Sequence, residues 1–153
     1  MAYATKTHLF GLQLLLAYAS MVVSTTSLNE SLPMKIAFTT QGDSLSAPLD
    51  PSFGRTRNFL IVDLQSETCE VISNHQNRDA AQGAGIQAAQ TIVKAGAGGL
   101  ITGHCGPKAF RVLEAAGVKV FNTDAPTIAE ALARYRAGNL VQAAAANVEG
   151  HWA

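Results

Sequence analysis

Charge is scarce in this sequence. Asp, Glu, Lys and Arg make up only 14% of its residues, and 11 basic residues balance 11 acidic ones. A protein that reads nucleic acid carries a basic surplus, so the composition excludes nucleic acid as an expected partner. Cysteine is scarcer still. Cys69 and Cys105 are the two present, with no C-x-x-C or zinc-ligand spacing between them, which excludes a closed thiolate cage and gives no support for a disulfide. No P-loop, G-x-S-x-G or H-E-x-x-H occurs, nor any carboxylate pair suited to general acid–base work. These absences point to a binding protein and away from an enzyme. The one long apolar run, residues 9–23, is shorter than the roughly 20 residues a bilayer requires, so no stable membrane span is expected.

What is present is a chain of 153 residues, 48% of them hydrophobic, enough for one domain with a core of its own. The first 33 residues differ from the rest. Their apolar run, with Lys6 before it and Ala17-Tyr18-Ala19 within it, resembles a secretory signal with an A-x-A cleavage site. They also read as a disordered extension or a mis-assigned start, because Met34-Lys35-Ile36-Ala37 opens what looks like the first strand of a cytoplasmic α/β domain. The expected organisation is therefore an extension over 1–33 and a domain over 34–153. The domain is expected in the cytoplasm, or exported if the extension is a true signal.

Hydrophobic patterning predicts strands at residues 35–40, 58–64, 69–73, 100–102 and 118–121. A long Gly-, Ser- and Pro-containing loop, 41–57, follows the first strand, and loops of that length in compact domains are usually functional or disordered. A helix is expected over 83–95, with Ile86, Ala89 and Val93 inward and Ile92 beside them. A second helix opens at Pro107, a favoured first-turn residue. A third is capped by Thr127 with Glu130 reaching back, and presents Ile128, Leu132 and Tyr135 on one face. Gly96, Gly117 and Gly138 are expected to end the three helices. The alanine-rich remainder, 139–153, is expected to add a short helix.

This order, β-β-β-α-β-α-β-α, predicts an α/β fold with a mixed five-stranded sheet and flanking helices. A meander followed by right-handed crossovers sends the loops after the first, third, fourth and fifth strands to one sheet edge, where open α/β sheets hold ligands. Those loops contain Phe53, Gly54 and Arg55; Asn74 and His75; Gly83 and Gly85; and Gly103, His104, Cys105, Gly106 and Lys108. Arg57, Arg78 and Arg111 lie close by. Glycines allow close approach to the backbone, and helix N-termini attract anions. The expected site is thus an anion pocket with two imidazoles and one thiol at hand. Each residue also has a structural reading: the histidines as capping or hydrogen-bonding groups, Cys105 as a small core filler, and the arginines as solvated charge. Gly83-Ala84-Gly85-Ile86-Gln87-Ala88 fits the G-x-G-x-x-A dinucleotide fingerprint. It lies too far from the preceding strand, however, and no acidic residue ends the next strand to meet a ribose.

The same segments resemble the dinitrogenase iron–molybdenum cofactor biosynthesis family. The residues that carry the resemblance are Met34-Lys35-Ile36-Ala37, Pro51-Ser52-Phe53-Gly54-Arg55, Asn74, Gly83-Ala84-Gly85-Ile86-Gln87-Ala88-Ala89, Gly103-His104-Cys105-Gly106-Pro107-Lys108-Ala109-Phe110, and Asn147 with His151-Trp152. The resemblance implies a ribonuclease-H-like fold without nuclease chemistry. It implies binding or carriage of iron–molybdenum cofactor, a precursor, or a mixed molybdenum–copper sulfide cluster as in the orange-protein branch, with donor and acceptor proteins as partners. His75, loosely, matches a histidine that family carriers place after the third strand. The expected metal ligands are Cys105, His75 and His104, and Cys105 is expected to be partly accessible at a helix N-terminus. Thiolate and imidazole suit such metals, and few ligands suit a cargo that must be released. The competing expectation is a small-anion or nucleotide-binding regulatory module using the same pocket.

Overall fold

The computed structural model describes residues 34–79 and 82–146, and structural statements below refer to these. The strands are β1 (Lys35–Thr40), β2 (Asn58–Asp63), β3 (Cys69–Ser73), β4 (Gly99–Thr102) and β5 (Lys119–Asn122). The helices are α1 (His75–Arg78), α2 (Ala84–Lys94), α3 (Pro107–Ala115) and α4 (Ile128–Arg136). The sheet order is β3-β2-β1-β4-β5. β1–β2 and β2–β3 are antiparallel, whereas β1–β4 and β4–β5 are parallel. This is the expected mixed sheet of ribonuclease-H-like order, and it puts the ends of β1, β3, β4 and β5 on one edge.

Alternation along the strands builds two cores. Ala37, Phe59, Ile61, Leu100 and Val120 face α2 and α3. Ile36, Phe38, Leu60, Val62, Ile101 and Phe121 face α4 and the loop residues Ala47 and Leu49. Tyr135 of α4 packs edge-on against Phe121, with ring centroids 5.3 Å apart. Pro107 opens α3 as expected. Thr127 caps α4, its hydroxyl accepting from the Glu130 N–H at 3.2 Å. Glu130 itself does not reach back; its carboxylate pairs with Arg134 at 2.7 Å.

Three expectations require correction. The inward face of α2 is Ala84, Ala88, Ala89 and Ile92, while Val93 is exposed. Gly54 lies against Gly85 in the first turn of this helix, and three of its four buried residues are alanines. The loop after β3 contains the short helix α1, which buries no residue and so leaves no hydrophobic period to read. No helix forms over residues 139–146. There the chain runs antiparallel to β5, with a bridge from Phe121 to Gln142 and a bond from Ala143 N–H to the Val120 carbonyl at 2.8 Å. It covers an edge that would otherwise present unpaired backbone groups. The extension 1–33, the end of that stretch, and Asn147, His151 and Trp152 lie outside the described residues. Among the described residues no helix is long and apolar enough to cross a membrane.

Candidate functional site

The long loop between β1 and β2 is the organiser of the ligand edge. It runs across the strand tips and is tied to each. The Asp50 N–H donates to the Thr39 carbonyl at 2.8 Å, and the Thr39 hydroxyl donates to the Asp50 carbonyl at 2.6 Å. The His104 N–H donates to the Pro51 carbonyl at 2.7 Å, and the Phe53 N–H donates to the His104 carbonyl at 3.3 Å. Asp50 is buried; its carboxylate accepts from the Ser52 N–H at 3.0 Å and from the Gln41 amide. A loop rich in turn residues is thereby fixed as a scaffold.

Several expected ligand residues belong to this scaffold and not to the surface. Phe53 is 2% exposed and packs on Phe59 at 5.6 Å, so it is a core residue. Burial of such a ring stabilises the loop by about 2–3 kcal/mol. Asn74 is 1% exposed. Its amide donates to the carbonyls of Thr56 at 2.8 Å and Gly54 at 3.3 Å, and its oxygen accepts from Asn77 at 2.9 Å. It is a clamp on the turn at 54–56. Gly54 lies against Gly85, where a Cβ would sit 3.1 Å from backbone atoms; at Gly103 a Cβ would sit 2.7 Å from the Pro51 Cα. These glycines are required for close packing between loops. Gly83 takes a left-handed conformation (φ 76°) ahead of α2, and Gly106 is the extended residue before α3.

Cys105 is corrected most sharply. It is 1% exposed within the α2–α3 core, and burial away from water pushes its thiol up to about 12. A helix N-terminus lowers a thiol's pKa only where the thiolate can be solvated or paired. In this conformation Cys105 is not the expected, partly accessible thiol, and the neutral form is favoured where it lies. Cys69 is exposed at the start of β3, at the opposite edge of the sheet.

Of the expected ligand residues, Arg55, His75, His104 and Lys108 have exposed side chains. Arg55 spends one guanidinium nitrogen on the Arg78 carbonyl at 2.9 Å. Gly103 and His104 also line a hollow of about 760 Å³ whose other walls come from Leu49 and Pro51, the 122–126 turn after β5, Arg134 of α4, and Asn139 with Leu140. That volume is in the range of ligand sites. Asn122 Oδ1 is buried in its wall with no hydrogen-bond partner among the described residues. Arg134 is a site residue that sequence reading overlooked. Its signal was available in the capping pattern, because Glu130 in the first turn of a short helix positions an i+4 partner over the adjacent loop. Among the described residues no three His, Cys, Asp or Glu side chains gather to hold a metal ion. Among the described residues the edge provides a concave surface with exposed cationic and imidazole groups.

A mixed five-stranded sheet with a hollow at the parallel strand tips defines a small α/β domain with a candidate ligand site. The family model described as dinitrogenase iron-molybdenum cofactor matches residues 34–138, and the chain belongs to that family. The chain is similar to the orange protein of Desulfovibrio gigas, solved in its apo form. The two are 40% identical with a TM-score of 0.73, over 75% of this chain and 97% of that one. A candidate NifB protein from Thermotoga is 33% identical with a TM-score of 0.64, over 71% of this chain and 92% of that one. An uncharacterized protein of Methanocaldococcus jannaschii is 31% identical over 110 residues, 70% of this chain and 89% of its own length. The chain is thus related to proteins of iron–molybdenum cofactor binding and biosynthesis.

Proposed function

We propose that the protein binds and carries an anionic molybdenum-containing metal–sulfur cluster between donor and acceptor proteins in the cytoplasm, and is not a catalyst. The cargo is iron–molybdenum cofactor, a precursor of it, or a mixed molybdenum–copper sulfide. The observation that carries this reading is the hollow at the strand tips, with His104 on its wall, in a chain of this family. The buried thiol and the lack of a three-ligand cluster among the described residues shape the mechanism. The cargo is held by charge, by hydrogen bonds and by at most one imidazole, that of His104; His75, after β3, is not among the residues that line the hollow. Such a cradle holds an anion and still lets it go, as a carrier requires.

The test is anaerobic loading of the full chain with tetrathiomolybdate, with and without copper, followed by molybdenum analysis after desalting. His104→Ala and Lys108→Ala are expected to lower affinity about tenfold or more, the value of a charge-assisted contact, with thermal unfolding little changed. Arg55→Ala is expected to lose less, because its guanidinium also ties down the α1 turn. Equal retention by all three variants and the wild type would remove these side chains from the site.

A further inference from the structure

Among the described residues lining the hollow there is one guanidinium, and it is already occupied from within the chain. Arg134 Nη1 donates to Asp124 Oδ1 at 2.8 Å and to Thr123 Oγ1 at 3.3 Å, and Nη2 pairs with Glu130 Oε1 at 2.7 Å. The two carboxylates are not equivalent. Glu130 lies one helical turn before Arg134 and is 44% exposed, whereas the Asp124 side chain is 99% exposed on the turn after β5. Arg134 is 35% exposed and lines the hollow, as does Asp124. An ion pair with one fully solvated partner is weak and readily exchanged. Thr123 fixes the turn independently, its hydroxyl accepting from the Ala125 N–H at 3.2 Å, so the Asp124 side chain can leave without unfolding the loop.

We propose that Arg134 is the anion-binding residue of the hollow and that Asp124 is a built-in competitor, displaced from the guanidinium when anionic cargo enters. This rests on the carriage reading above and names the group that holds the cargo. Glu130 keeps the guanidinium aimed while Nη1 changes partner. Such a competitor favours release: when an acceptor withdraws the cargo, Asp124 returns to Arg134 and no bare charge remains in the hollow.

The experiment measures tetrathiomolybdate binding to the full chain by equilibrium dialysis, in wild type, Asp124→Asn, Arg134→Met and the double variant, with thermal unfolding as a folding check. Asp124→Asn is expected to tighten binding about three- to tenfold, and Arg134→Met to weaken it about tenfold or more. In the Arg134→Met background, Asp124→Asn is expected to change affinity by less than about twofold, because the competitor has lost its target. A merely long-range charge effect would leave the gain intact in that background, and this result overturns the proposal. So does unchanged binding by Arg134→Met, while carriage by the remaining cradle stands. If the folded wild type binds no tetrathiomolybdate, the carriage reading falls and the competitor role falls with it.

Discussion

Asn74→Ala is expected to destabilise the protein by about 2–4 kcal/mol, because it strips a buried side chain that satisfies two carbonyls and accepts one amide donor. For a domain of this size that is a fall of roughly 10 °C in the melting temperature. The effect should spread beyond the turn at 54–56. Asn74 holds Gly54, Gly54 packs on Gly85 at the start of α2, and the adjoining Phe53 is hydrogen-bonded to His104. Asn74→Asp should be no rescue, since a carboxylate cannot donate to the Thr56 and Gly54 carbonyls and brings a buried charge. Thermal and denaturant unfolding check this. A melting temperature within a degree or two of wild type would show that Asn74 is not a clamp and would return it to the list of ligand contacts.

Cys105 provides the second large effect. In the folded chain its thiol should react with a disulfide reagent more than about a hundredfold more slowly than that of exposed Cys69, and should become reactive only on unfolding. Its raised pKa also sets the sign of an alkaline effect. The group is favoured neutral in the folded state, so its contribution is complete below the ordinary thiol value, 9.0. It is lost as the pH rises from there towards about 12. Across that window wild type should lose up to about 1.4 kcal/mol per pH unit relative to Cys105→Ala; lysines and tyrosines, common to both proteins, cancel in the comparison. Two thiols reacting alike in the native protein would instead place Cys105 at the surface as a usable ligand.

Much of the fold was legible because its signals are local. Short apolar runs marked all five strands, Pro107 and Thr127 marked two helix starts, and Gly96, Gly117 and Gly138, all with positive φ, marked three helix ends. Strand directions then followed from a hairpin and two crossovers, and with them the convergence of loops on one edge. The inward face of α2 was not legible, because Ala84, Ala88 and Ala89 give weak hydrophobic contrast. The candidate site was legible as a place but not as a set of side chains. Several residues that carry the family resemblance, Pro51 to Gly54, Asn74, Gly85 and Gly103, are dense in contacts because they lock the loops together. A motif read from sequence does not separate a residue that touches cargo from one that holds its neighbour in place. Arg134 was missed for the converse reason: it comes from a helix that follows the last strand, outside every glycine-rich turn.

Carriage itself is tested most directly by purifying the native protein without oxygen and measuring molybdenum, iron, copper and sulfide per chain alongside its visible spectrum. A carrier of a molybdenum–sulfur cluster should be coloured and contain molybdenum and sulfide in fixed proportion to protein, lost on dilution or competition with a strong acceptor. A colourless, metal-free protein that instead retains a nucleotide or a simple anion would contradict carriage and identify the hollow as the site of a small-anion regulatory module.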